Sequence, residues 1–138
     1  MEQVFRLNSP QVACEDLAGD LILLHFGSGL YFNIQGTGAD LCQFLMAGGT
    51  VENAVEQFSK HFQRPREVIG TEIASFVEEL VREGILVLSQ ELVKDLLVQF
   101  TVKTYAPPRC EKFDDMADQL LLDKIDEPNR EPGITSGS

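Results

Sequence analysis

Asp20 to Leu41 reads DLILLHFGSGLYFNIQGTGADL, and a change of period inside this stretch decides the fold class. Leu21, Ile22, Leu23, Leu24 and Phe26 are apolar at both parities, the pattern of a strand covered on both sides. Gly27-Ser28-Gly29 supplies a tight reversal, because glycine takes positive φ without a Cβ clash. Leu30-Tyr31-Phe32-Asn33-Ile34 then joins aromatic and branched residues that suit a pleated surface. After Ile34 the strand pattern stops. Thr37 offers a helix cap with Asp40 three residues on, a capping-box spacing. Leu41, Phe44 and Leu45 follow on one helical face.

Upstream, Gln11 to Leu17 alternates and Ala18-Gly19 provides a turn, so three antiparallel strands are expected. Downstream, Gly48-Gly49 ends the first helix and Thr50 caps the second. Val51, Ala54, Val55, Phe58 and Phe62 form its amphipathic stripe. Pro65 separates a third helix with the stripe Ile69, Ile73, Phe76, Val77, Leu80 and Val81, stopped at Gly84. Strands followed by helices make an α+β fold, in which the helices pack on a three-stranded sheet that could not bury its apolar face alone. Ile85 to Leu88 reads as a further short strand, closing a domain over residues 1–88. Residues 89–104 read as an extra helix or strand: Leu92, Val93, Leu96, Leu97 and Phe100 have helical spacing behind a Ser89 cap, while Leu97 to Val102 also suits a strand. Residues 105–138 form an acidic, Pro-containing tail whose composition buries too little to offset chain entropy. Inside it, Phe113, Met116, Ala117, Leu120 and Leu121 mark a short amphipathic island at 113–121.

The chain has 138 residues, room for one domain with an appendage. No stretch approaches the roughly 20 apolar residues of a membrane span, and Met1 to Pro10 holds no signal-peptide core. A cytoplasmic protein is expected. Cys14, Cys42 and Cys110 are too far apart and of the wrong number for a disulfide framework or a zinc site. His25 and His61 read as structural or solvated, and nothing pairs either with a cysteine as nucleophile and base. With 22 acidic against 11 basic residues the net charge is -11, which opposes phosphate backbones and anionic membranes alike. Asp114, Asp115 and Asp118 flank an apolar stripe, so they read as a solvated helix face rather than a metal cluster. No cofactor and no catalytic residues are expected, and the function class is a binding module.

The segments Gly29 to Leu41, Gly48 to Phe58 and Ile73 to Leu86 together resemble the PqqD-like peptide chaperones and the wider group of precursor-peptide (RiPP) recognition elements. The resemblance covers roughly residues 10 to 88 and rests on apolar, Asn and Gly positions rather than a catalytic signature. It implies a small winged-helix-like domain that holds the leader of a ribosomally made precursor peptide and presents it to modifying enzymes of the same pathway. By resemblance, the leader adds as a strand beside Leu30–Ile34 and packs against the third helix. An edge strand can accept such a partner because its N–H and C=O groups are unpaired. The backbone partners would be Gly29, Leu30, Tyr31, Phe32, Asn33 and Ile34. Ile73, Phe76, Val77 and Leu80 would line the pocket, with Arg66, Glu72, Glu79 and Arg82 adding charge selectivity. The tail from Tyr105 is additional to the family pattern, which points to a longer relative serving another peptide pathway.

Each pocket residue also has an ordinary reading. Phe76 and Leu80 at helical spacing suit the core, Tyr31 and Phe32 alternate across a strand, and Asn33 suits a turn. Winged-helix DNA binding and a structural subunit of a larger complex are the alternative functions. Glu52, Glu56, Glu67, Glu72, Glu78, Glu79 and Glu83 oppose the first of these. The tail island suits docking on a hydrophobic groove of this domain or of an enzyme, where it would gate the leader or link two copies as a homodimer.

Overall fold

The passage from strand to helix falls where the period changes. The computed structural model describes residues 3–113. In it, β1 (Val4–Leu7), β2 (Val12–Leu17), β3 (Asp20–His25) and β4 (Leu30–Ile34) precede α1 (Thr37–Met46), α2 (Val51–Phe62) and α3 (Arg66–Arg82). β5 (Leu86–Ser89) and β6 (Glu111–Phe113) follow. The expected α+β fold holds, with the three helices in their expected places. The expected tail island, apart from Phe113, lies outside the described residues, as do Asp114, Asp115 and Asp118.

The sheet differs from the three strands expected. β2, β3 and β4 gain β6 in a four-stranded sheet ordered β2-β3-β4-β6, and β1 pairs with β5 in a separate antiparallel ribbon. β1 was hidden because Arg6 interrupts a run of only four residues, Val-Phe-Arg-Leu, whose Val4 and Phe5 are buried against the helices. β3 is central, with Leu21 and Leu23 turned into the core and Ile22 and Leu24 half-buried on the other face. Ala18 and Gly19, both at positive φ, close the β2–β3 hairpin.

Thr50 caps α2 as expected, its hydroxyl accepting the Asn53 N–H at 3.0 Å, and α3 stops at Gly84, φ 77. The capping box expected at α1 does not form. Gly36 is the N-cap, and Thr37 and Asp40 are buried with their oxygens turned elsewhere. Phe32, Ile34, Leu41, Leu45, Phe58, Ile69, Ile73 and Leu80 make the shared interior of sheet and helices.

Residues 90–104 are neither helix nor strand. Asp95 at φ 58 breaks the helical run. From Leu96 the apolar residues act with period two instead. Leu96, Val98, Phe100 and Val102 are buried or half-buried, while Leu97, Gln99, Thr101 and Lys103 are exposed. Among the described residues no strand lies beside this belt, and side chains satisfy part of its backbone. Gln57 donates Nε2–H to Leu96 O at 2.9 Å and accepts the Val98 N–H at 2.9 Å, acting as a single peptide unit of a missing strand. Asp40 accepts the Thr101 N–H and hydroxyl, each at 2.8 Å. Phe100 stacks on His61, centroids 3.8 Å apart, and meets Phe58 edge-on. His61 is thus part of an aromatic cluster.

Candidate functional site

β4 hydrogen-bonds β3 along one side, and its other side faces the chain that follows the belt. An unmatched strand edge is a row of donors and acceptors that attracts a partner. Here β6 meets it antiparallel, with Tyr31 opposite Phe113, Phe32 opposite Lys112 and Asn33 opposite Glu111. Opposed residues of paired strands share a face. Lys112 therefore lies on the side of Phe32, toward α3, and its Nζ reaches Glu83 at 2.9 Å. Phe113 lies on the outer side, its ring 5.5 Å from that of Tyr31.

The chain enters this edge through Tyr105, whose buried ring sits 5.5 Å from Phe62 beneath the Arg64 guanidinium at 5.7 Å. Its hydroxyl donates to Glu72 on α3 at 2.7 Å. Burial and then this bond push the Tyr105 hydroxyl well above the usual phenol range. The Ala106 N–H donates to Thr37 Oγ1 at 3.3 Å, and Pro108 is buried. Gly38 admits the backbone here, since a Cβ on it would stand 3.2 Å from Arg109 O and 2.9 Å from Ile34 Cγ2. Burial, reinforced by Glu79, Glu83 and Glu111, pushes the Cys110 thiol up to about 12. Buried Cys42 is raised by desolvation, and half-buried Cys14 by burial, Asp16 and Glu15.

The expected site residues divide. Tyr31 and Asn33 meet the added strand on the outer face. Gly29, φ 76, shapes the turn into β4, and Leu30 is half-buried. Phe32, Ile34, Ile73 and Leu80 are fully enclosed, and Phe76 nearly so, all within the core cluster. Val77, buried in the same cluster, also borders a different groove of about 580 Å³, with Phe5, Val51, Ala74, Val81 and Leu88. Arg82 lines that groove too, and Arg66 pairs with Glu56. Of the expected charged residues, Glu72 contacts the edge segment directly. Asn33 Oδ1 is buried and has no hydrogen-bond partner among the described residues. Sequence reasoning gave Thr37, Asp40 and Glu83 other roles and did not single out Gln57; the partners of all four lie dozens of positions away.

No group of three metal-binding side chains converges among the described residues, and no helix there is long and apolar enough to cross a membrane. The edge therefore offers backbone pairing, an aromatic contact and a carboxylate rim, which define an α+β domain holding an extended segment between a strand and a helix. Residues 20–86 match the family model of coenzyme PQQ synthesis protein D (PqqD). Over that stretch the chain resembles PqqD. A solved structure of TbiB1 in complex with the TbiA(beta) leader peptide matches with a TM-score of 0.54. It is 21% identical and covers 59% of this chain and 93% of that one, a likeness of fold. No curated protein matches the chain.

Proposed function

We propose that this chain is a non-catalytic peptide-binding protein. It captures the leader of a ribosomally made precursor by strand addition at β4 and presents the rest of the precursor to modifying enzymes. The observation that carries this reading is the β4 edge itself, which takes up an extended segment in antiparallel register between Tyr31 and Asn33. The PqqD-like match and the fold shared with TbiB1, whose solved complex holds a leader peptide, support the same reading. Main-chain bonds along an edge supply affinity without demanding a particular sequence, while alternate side chains supply selectivity. Holding the leader raises the effective concentration of the attached segment at an enzyme, with no chemistry performed by the holder. On this reading the β2–β4 hairpins are the wing of a winged-helix-like domain.

The test is calorimetric titration of the full chain with synthetic leaders of short precursor peptides encoded beside it. One leader is expected to bind, and Tyr31→Ala to weaken it about tenfold or more, as loss of an aromatic anchor does. If none of those leaders binds, or if Tyr31→Ala leaves the affinity of the one that does unchanged, the proposed site is wrong.

A further inference from the structure

We infer that residues 107–113 are a resident competitor on the peptide edge, and that a free peptide enters only by displacing them. The inference rests on the peptide-binding reading of β4 and adds its regulation. Two halves of the same segment are held in opposite ways. The belt up to Ala106 is fixed by half-buried Gln57 on both sides of Leu97 and by two buried partners, the Asp40 carboxylate on Thr101 and Thr37 on Ala106. Beyond it, Pro107 and Pro108 have no N–H to offer a ladder.

Among the described residues the ladder pairs three positions, against five between β3 and β4 and six between β2 and β3. One lateral tie, from Lys112 to Glu83, has its lysine half exposed, and ion pairs open to solvent contribute little. Asn33, opposite Glu111, keeps a buried Oδ1 without a partner among the described residues, and Ile34 is not paired by Cys110, which lies outside β6. An incoming strand that also pairs at Ile34 adds main-chain bonds there, while the belt stays in place as the pivot. The resident strand also displays the chemistry the edge accepts: an extended peptide with a basic residue toward Glu83 and an apolar ring on Tyr31.

A closed site lowers apparent affinity by the fraction of molecules that are open. The probe is a fluorescein-labelled synthetic peptide copying residues 103–114, titrated into the full chain by anisotropy. Lys112→Ala with Phe113→Ala loosens the resident strand and is expected to tighten probe binding by about tenfold or more. Asn33→Cys with Glu111→Cys, in a background of Cys14→Ser and Cys110→Ser, joins facing residues whose spacing suits a disulfide. When oxidised this protein is expected to exclude the probe, and reduction to restore binding in the same sample, which controls for folding. Equal probe affinity for wild-type, loosened and locked proteins overturns the competitor. Failure of the loosened and reduced proteins to bind any probe overturns the peptide edge as well.

Discussion

Asp40 illustrates how a residue's role is set by distant chain. Its position in the sequence suits a capping box, yet its carboxylate is buried and turned to Thr101 and Val102. A carboxylate has two acceptor oxygens and both are used, one for the Thr101 N–H and one for its hydroxyl. Asp40→Ala removes the acceptor of both the Thr101 N–H and its hydroxyl and is expected to cost about 1 to 3 kcal/mol. Asp40→Asn should cost less, because the amide oxygen still accepts the N–H and the Thr101 hydroxyl can rotate to accept from the amide. Urea melts of the two variants check the order, and an Asn variant as unstable as Ala would refute it. Gln57 makes the matching case at Leu96 and Val98. Gln57→Glu keeps the acceptor for Val98 N–H but sets a carboxylate against Leu96 O. It is expected to lower the melting temperature, whereas a glutamine that only fills space would tolerate the change.

At the scale of elements, the legible parts were those whose signals are local. Leu30–Ile34 was bounded correctly because a glycine turn precedes it and the period changes after it, and α2 and α3 announced themselves by apolar stripes with a threonine cap and a glycine stop. The belt left two readings open, because Leu92, Val93, Leu96, Leu97 and Phe100 fit a helix by spacing while Leu97 to Val102 suits a strand, and residues 90–104 take neither form. The period-two set Leu96, Val98, Phe100 and Val102 wins only because α1 and α2 present Asp40 and Gln57 to its backbone. β6 carries almost no propensity signal in Glu-Lys-Phe; it is a strand because β4 offers an edge. For the same reason no local signal marks Glu111–Phe113, the segment that lies on the edge, whereas the family resemblance points to Leu30–Ile34 as a strand open to a partner. Of the expected pocket, Phe76 and Leu80 followed their core reading, since helical spacing alone cannot separate a residue beneath a groove from one lining it.

The edge segment also carries a pH prediction. Cys110 titrates from 9.0 in a detached chain to about 12 in place. The sign follows from the raised value: its contribution is complete below about pH 9 and declines as pH rises toward about 12, because the detached thiol ionises first. Tyr105, raised by burial and by Glu72, acts in the same direction. Wild-type protein is therefore expected to lose more thermal stability between pH 8 and pH 10.5 than Cys110→Ala does. Equal losses in the two proteins would show that the thiol is not held in a desolvated place. At pH 8 the same burial should make Cys110 react with iodoacetamide far more slowly than in urea, since the thiolate is the reactive form.

For the molecule as a whole, charge decides which partners can approach. The net charge of -11 is reinforced at the candidate site, where Glu72 and Glu79 of α3 and Glu83 at its C-cap act on the edge segment. A duplex attracted through its phosphates would meet repulsion there, and no gel shift is expected with duplex DNA at low salt. A shift at micromolar protein would reverse the choice between the peptide and winged-helix DNA readings. A peptide bearing lysine or arginine meets the opposite field, and long-range attraction acts mainly on the rate of encounter. Between 50 and 500 mM salt, the association rate of the lysine-bearing strand peptide with the loosened protein should fall by roughly threefold or more, with a smaller change in dissociation. Stopped-flow anisotropy separates the two rates. A rate insensitive to salt would mean that the acidic rim takes no part in recognition, leaving the main-chain ladder and the Tyr31 contact to hold the peptide alone.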